Sequence, residues 1–308
     1  MRVWVTGGNG FIGRHLVAHL AGQGERVHGV GHGAIDEAER QKLGLTDWIN
    51  GEISAPNLDA LAQRDGAPSA IFHLAGGSSV ARSIEQPYED FSRTVTATAS
   101  LLEWLRHSAP ECRLVVASSA AVYGAHHAGA ISEQADTQPM SPYGHHKLIM
   151  EQLCRSYSIS FGLRATIVRL FSVYGPWLRK QLLWDLCLWL AQGQRELVLG
   201  GTGSEARDWI DVRDVAQLLA RLADDDDEAM RVLNGGSGIA TPVAEVAELV
   251  TRAWGGDIKV SFSGTARAGD PFSLVADARQ LAAIPFNWGI PLDEGIENYV
   301  SWFKGQVR

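Results

Sequence analysis

Thr6-Gly7-Gly8-Asn9-Gly10-Phe11-Ile12-Gly13 follows the apolar run Val3-Trp4-Val5 and opens the amphipathic segment Ile12–Ala21. Gly8, Gly10 and Gly13 have the G-x-G-x-x-G spacing, placed where a strand passes into a helix. One glycine allows the tight turn, one lets the backbone approach a pyrophosphate, and one permits close packing of helix on strand. The helix N-terminus offers unpaired N–H groups to an anion. A dinucleotide is therefore expected on Gly7, Gly10, Phe11, Ile12 and Gly13.

Outward from this turn, strand-like runs alternate with helical patterns. Val3–Thr6, Arg26–Val30, Asp47–Ile49, Ala70–Leu74, Arg113–Ala117 and Ala165–Leu170 read as strands, and Ile12–Ala21, Tyr88–Arg106 and Tyr143–Ser160 read as helices. Nearly continuous apolar strands separated by helices predict a parallel sheet covered on both faces, a Rossmann-like doubly wound α/β fold. After Gly175-Pro176 the rhythm shortens, predicting a smaller interleaved α+β lobe. The expected division is 1–175, with 211–236 returning to it, against 176–210 and 237–308. Asp224–Asp227 with Glu228 reads as a solvated acidic loop.

The chain has 308 residues, 45% hydrophobic and 20% charged, which is globular composition with a core to bury. A formal charge of −8 gives no basic field for nucleic acid or an anionic membrane, so an anionic ligand must be held locally. Cys112, Cys154 and Cys187 form no C-x-x-C pair, which predicts reduced thiols and no zinc site. No signal-like segment opens the chain, and Asp185 interrupts the apolar stretch at 182–191. The expectation is a soluble cytoplasmic protein without a metal.

The end of the second strand selects the cofactor, because a carboxylate there bonds the ribose 2′-hydroxyl of NAD. This chain has Val30-Gly31-His32-Gly33 instead. A 2′-phosphate meets no repulsion at Gly31, and Arg14 or His32 could face it, so NADP(H) is the expected cofactor, with tolerance of NAD(H) as the alternative.

Tyr143-Gly144-His145-His146-Lys147 sets a phenol and an ammonium at i and i+4 on one helix face. A cation beside a phenol lowers its pKa from about 10. Ser118 and Ser119 end the strand at Arg113–Ala117, at the carboxyl edge where open α/β sheets bind ligands. His126, His127, His145 and His146 read as loop or helix-surface residues. With the glycine turn, these residues resemble the extended short-chain dehydrogenase/reductase superfamily, in its nucleotide-sugar epimerase, dehydratase and ketoreductase branch. His73-Leu74-Ala75-Gly76, Ser118–Gly124, Arg169–Pro176, Gly201–Asp214 and Arg267–Asp270 stand in the matching order, so the resemblance covers essentially the whole chain.

The resemblance implies Tyr143 as proton donor or acceptor, Lys147 as the group that lowers its pKa and holds the nicotinamide ribose, and Ser119 as the bond to the reacting oxygen. It implies Glu52 and Ile53 by the adenine, and Leu74, Ala75, Gly76, Thr94, Ser118, Leu170 and Phe171 along the cofactor. Toward a nucleotide-diphosphate sugar it implies Ser78, Ser79, Ala120 and Ser172, with Arg207 and Arg267 facing the diphosphate.

Ala120 and Ala121 stand where the family's dehydratases are expected to carry an acidic pair, so 4,6-dehydration is disfavoured. No Cys lies near Ser119, which disfavours a 3,5-epimerase/reductase. Gly31 tips the remaining choice toward an NADPH-dependent reductase of a 4-keto-6-deoxy nucleotide sugar, with Tyr143 protonating the alkoxide. The alternatives are an NAD-dependent 4-epimerase of UDP-hexose type and a non-catalytic NADPH sensor, against which the Tyr/Lys pair speaks. The resemblance also implies a homodimer through the helices at 88–106 and 143–160, with Leu101, Leu102, Leu105, Leu148, Ile149 and Leu153 as apolar surface.

Overall fold

The computed structural model describes residues 1–224, 229–265 and 271–306. β1 (Arg2–Thr6), β2 (Arg26–Gly31), β3 (Leu45–Asn50), β4 (Ala70–His73) and β5 (Arg113–Ser119) alternate with α1 (Phe11–Gly22), α2 (Glu37–Leu43), α3 (Ala55–Asp65), α4 (Val80–Glu85), α5 (Pro87–Phe91) and α6 (Ala97–Ser108); α7 (Pro142–Phe161) follows. Strands Arg164–Leu170 and Met230–Gly235 complete a seven-stranded sheet. Its order is Met230–Gly235, Arg164–Leu170, β5, β4, β1, β2, β3. The strands run parallel in the registers Thr6↔Val30, Thr6↔His73, His73↔Val116 and Ser119↔Leu170. Strand order reverses between β1 and β4, and such a switch point opens a crevice at the carboxyl ends of the strands.

The chain forms two compact units. One comprises Met1–Gly124, Asp136–Leu170 and Val215–Leu233; the other comprises Ala125–Ala135, Phe171–Asp214 and Asn234–Arg308. The first holds the sheet. On one face of it Trp4, Ile71, Leu114, Val116 and Ile167 pack against Leu101, Leu102, Leu105, Met150 and Cys154. Each fully buried Leu or Ile there contributes roughly 1.5–3 kcal/mol. Leu101, Leu102 and Leu105 are thus core residues rather than the dimer surface expected of them, whereas Leu148, Ile149 and Leu153 are half-buried.

The helix expected over 88–106 is broken. α5 passes through a π-helical turn at Ser92–Thr96 before α6 begins. Where this turn meets α6, the Thr98 hydroxyl donates to the Thr94 carbonyl at 2.6 Å, a side-chain bond that competes with the helical ladder.

The second unit is α+β. Thr241–Pro242, Ala206–Arg207, Ser273–Ala276 and Ala130–Ile131 form a four-stranded sheet. The segment at 125–135 belongs here rather than with the residues around it in sequence, because Ala130–Ile131 pairs in parallel with Val275–Ala276. Helices Gln181–Ala191, Val243–Trp254 and Leu292–Gln306 pack through aromatic rings, with Trp184 5.0 Å from Phe303. Among the described residues no helix is long and apolar enough to cross a membrane. The three cysteines are free and buried, and burial pushes each thiol up to about 12. Arg267 and the acidic residues 225–228 lie outside the described residues.

Candidate active site

The glycine turn closes on backbone. The Gly7 N–H donates to the Val30 carbonyl at 2.9 Å, and the Gly10 N–H donates to the Gly7 carbonyl at 2.9 Å. Gly7 has φ +72°, and a Cβ there would lie 2.9 Å from the Ala75 nitrogen, so the tight turn belongs to Gly7. Gly8 has a negative φ and only ordinary contacts around a Cβ, so the operative spacing is Gly7-x-x-Gly10-x-x-Gly13. At Gly13 a Cβ would collide with the Gly7 oxygen, which sets how closely α1 lies on β1. No side chain caps α1 and its first turn carries no carboxylate. Unpaired N–H groups with no competing anion are what a pyrophosphate requires, so these residues fit a dinucleotide.

Behind the turn lies a relay with a defined proton pattern. The Thr98 hydroxyl is spent on the Thr94 carbonyl, so it accepts from His73 Nε2 at 2.9 Å. His73 Nδ1 is then the acceptor for the Thr6 hydroxyl at 2.7 Å. His73 is neutral here: burial, and after it the Lys147 charge, hold its pKa at about 3. The pattern ties β1, β4 and the π-turn together. The Thr94 hydroxyl accepts from the Gly77 N–H at 2.8 Å, so Thr94 shapes the loop Leu74–Gly77. That loop is half-buried, Ser78 beyond it is exposed, and Ser79 caps α4 by accepting from the Arg82 N–H.

Ser141-Pro142-Tyr143-Gly144 starts α7 by separate local rules. Ser141 is the N-cap, its hydroxyl accepting from the Gly144 N–H at 3.2 Å, and Pro142 takes the first helical position. The Tyr143 N–H donates to the Ser83 hydroxyl at 3.0 Å. A Cβ on Gly144 would lie 2.7 Å from the Ala121 carbonyl, so this glycine lets α7 close on the turn after β5. That closure brings Ser119 to the phenol. The Ser119 oxygen accepts from the Ala121 N–H at 3.2 Å and hydrogen-bonds Tyr143. Ala120, next along, is buried.

Lys147, one helical turn on, is buried with Nζ donating to the Ala117 carbonyl at 2.8 Å and lying 6.0 Å from the Tyr143 ring centre. Burial lowers its pKa to about 8 against the attraction of Asp90 and Glu151. The direction at Tyr143 differs from the expectation. Burial raises the phenol above its ordinary value, the Ser119 bond lowers it, and the Asp90 charge raises it. Desolvation and the Asp90 charge together outweigh the Ser119 bond.

Two further groups belong to this site. Asp90, buried on α5, meets His146 Nδ1 at 2.6 Å, and His146 sits on the same face of α7 as Tyr143 and Lys147. His146 is therefore not the surface residue expected. The i, i+3, i+4 spacing of Tyr143, His146 and Lys147 was the available signal. Ser118 points inward, its hydroxyl donating to Glu151 at 2.5 Å in a buried network. Arg169 completes that network, reaching both Glu151 oxygens at 2.7–3.2 Å and the Tyr123 hydroxyl at 3.0 Å.

At the carboxyl end of β2, a Cβ on Gly31 would lie 3.2 Å from both the Gly7 nitrogen and the Trp48 ring. His32 and Glu52 are exposed and 3.4 Å apart, whereas the Ile53 side chain belongs to the core. Arg14 is engaged: its Nη1 pairs with Glu39 at 2.8 Å, its Nε donates to the Asn9 carbonyl, and its Nη2 meets the Asn9 side chain. Leu170 is buried at the end of its strand.

In the second unit Phe171 is buried and the Ser172 N–H donates to the Asp208 carbonyl at 2.9 Å. Buried carboxylates flank Arg207. Glu205 accepts from the Thr202 and Gly203 N–H groups, and Asp208 from Ser237, Gly238 and Ala276. They fix the strand on which the half-buried Arg207 stands, with its Nη1 donating to the Ala206 carbonyl.

Residues 3–236 match the NAD dependent epimerase/dehydratase family. The chain belongs to that family. Its members similar to this chain include UDP-glucose 4-epimerases from Azospirillum brasilense, 31% identical over 98% of this chain and 91% of the relative, and from Corynebacterium glutamicum, 30% identical over 91% and 88%. Among solved structures, MoeE5 in complex with UDP-glucuronic acid and NAD superposes with a TM-score of 0.88 at 32% identity, covering 99% of this chain and all of MoeE5. Family membership makes this chain an enzyme of the epimerase/dehydratase kind on a Rossmann-like fold.

Proposed function

We propose that this protein is an NAD-dependent 4-epimerase of a UDP-sugar. The observation that carries the reading is Tyr143 held by Ser119 on one side with the buried Lys147 one turn along, in a chain whose relatives at 30–31% identity are UDP-glucose 4-epimerases. The reductase reading rests on NADP(H), and NADP(H) rests on the missing carboxylate at Gly31, with Arg14 or His32 to face the phosphate. Glu39 neutralises Arg14, and Glu52 stands beside His32. A 2′-phosphate would have to displace one carboxylate and approach another, which favours NAD.

Bound NAD supplies a hydride acceptor that can return the hydride to the same carbon. Tyr143 takes the proton from the sugar 4-hydroxyl and gives it back after the sugar has turned. Ser119 holds the phenol and the reacting oxygen in line. The Lys147 charge favours the phenolate that proton removal needs. Arg207 is the cation for the diphosphate, since a chain of net charge −8 offers no general attraction. A homodimer is part of the proposal. With Leu101, Leu102 and Leu105 in the core, the exposed Ile84, Tyr88, Ile159 and Phe161 are its apolar candidates.

The test is incubation with UDP-glucose and with UDP-glucuronic acid, separating the C4 epimers by chromatography while following absorbance at 340 nm. The proposal expects one pair to interconvert with no net absorbance change. Stoichiometric NADPH consumption with a 4-keto-6-deoxy nucleotide sugar, and no epimer, would restore the reductase.

A further inference from the structure

The end of β2 lacks the carboxylate that ordinarily bonds the NAD ribose, yet a carboxylate reaches this neighbourhood from elsewhere. Glu39 lies on α2, the first helix after β2. Asp36 caps that helix, its side chain accepting from the Glu39 N–H at 2.8 Å. In a capping box a glutamate at this position folds back to the cap residue's N–H. Here the Glu39 side chain extends to Arg14 Nη1 at 2.8 Å, on the first turn of α1 beside the glycine loop. Arg14 is mostly buried and Glu39 about a third exposed, so the pair is only partly screened.

Asn9 holds the other side of the guanidinium, its carbonyl accepting from Arg14 Nε at 3.1 Å and its side chain meeting Nη2. Gly33 closes the arrangement. Its N–H donates to the Asn50 side chain at 3.0 Å, its carbonyl accepts from the Trp48 indole at 2.9 Å, and a Cβ on it would strike Asn9. Trp48 in turn fills the space where side chains at Gly29 and Gly31 would stand. A side chain at Gly31 would press on both the Trp48 indole and the Gly7 backbone, and the negative charge comes from α2 instead.

We infer that Glu39 is the residue that sets cofactor choice, by holding Arg14 in an ion pair and so denying a 2′-phosphate its guanidinium partner. The inference rests on the NAD reading above and names the group responsible. Neutralising Glu39 releases Arg14 for bidentate phosphate binding and leaves in place the backbone bonds that close the glycine turn. Arg14→Met alone removes the phosphate partner and leaves Glu39 as an unpaired acid, which keeps NAD in favour.

The experiment is equilibrium binding, by calorimetry, of NAD and of NADP to wild type, Glu39→Gln, Arg14→Met and the double variant. Thermal shift with each dinucleotide serves as an independent readout. Wild type is expected to prefer NAD. Glu39→Gln is expected to tighten NADP roughly tenfold, with NAD changed less than about threefold, and Arg14→Met in the same background to abolish the gain. Wild type preferring NADP would overturn the NAD reading itself. Wild type preferring NAD with Glu39→Gln leaving the ratio unmoved, or a gain that persists without Arg14, would overturn the inference alone.

Discussion

At the residue scale, Tyr143 and Lys147 are held in opposition to their ordinary titration. Burial raises the phenol and lowers the ammonium to about 8, so both neutral forms are favoured more than in water. Removing the phenol oxygen takes away the proton carrier together with its bond to Ser119 and leaves the ring in place. Tyr143→Phe should lower kcat by about a thousandfold or more with dinucleotide affinity nearly unchanged, measured by paired turnover assays and calorimetry. Lys147 predicts a pH dependence of defined sign. Its folded value lies below the 10.5 of the unfolded chain, so the folded state releases its proton first. The charge is present below about pH 8 and lost above it. Turnover per bound cofactor should therefore fall as pH rises through about 8, by a limb absent from a Lys147→Arg protein that still folds; a flat profile from 7 to 9.5 would contradict this.

At the scale of elements, most of the cofactor half was legible because each strand is apolar and each helix start carries its own chemical signal. The glycine turn, the Ser-Pro-Tyr-Gly start of α7 and the Tyr/Lys spacing are local features and read directly. The strand Met230–Gly235 was not singled out, since Asn234 and Gly235 weaken its apolar pattern. Asp90–His146, Glu151–Arg169 and Arg14–Glu39 were also missed. Each joins residues 18–56 positions apart, and nothing in local periodicity marks which charges will meet. The Glu151–Arg169 pair has an energetic consequence, because both residues are about 95% buried. Arg169→Leu would leave the Glu151 carboxylate buried without its cation. The expected loss is about 3–5 kcal/mol in urea unfolding, with Glu151→Gln/Arg169→Leu recovering much of it. A loss below about 1 kcal/mol would show that water reaches the pair.

At the scale of the whole molecule, a chain of net charge −8 must hold the proposed anionic dinucleotide and sugar nucleotide with a few donors placed where the field is local. α1 offers backbone N–H groups, and Arg207 is the candidate beyond it. The absence of an acid at Gly31 is what points the sequence toward a reductase, the reading that the proposed epimerase replaces. It is correct as a statement about β2 and incomplete as one about the fold, because α2 returns a carboxylate to the same neighbourhood. The central claim is that hydride leaves C4 and comes back to C4 while Tyr143 carries the proton out and in. Epimerisation of UDP-[4-²H]glucose, or of the C4-labelled glucuronate if that is the substrate, followed by NMR of the product, tests it most directly. The account predicts a C4 epimer that keeps its deuterium at C4, whereas an epimer whose C4 label has washed into solvent, or no epimer from either labelled sugar, would contradict it.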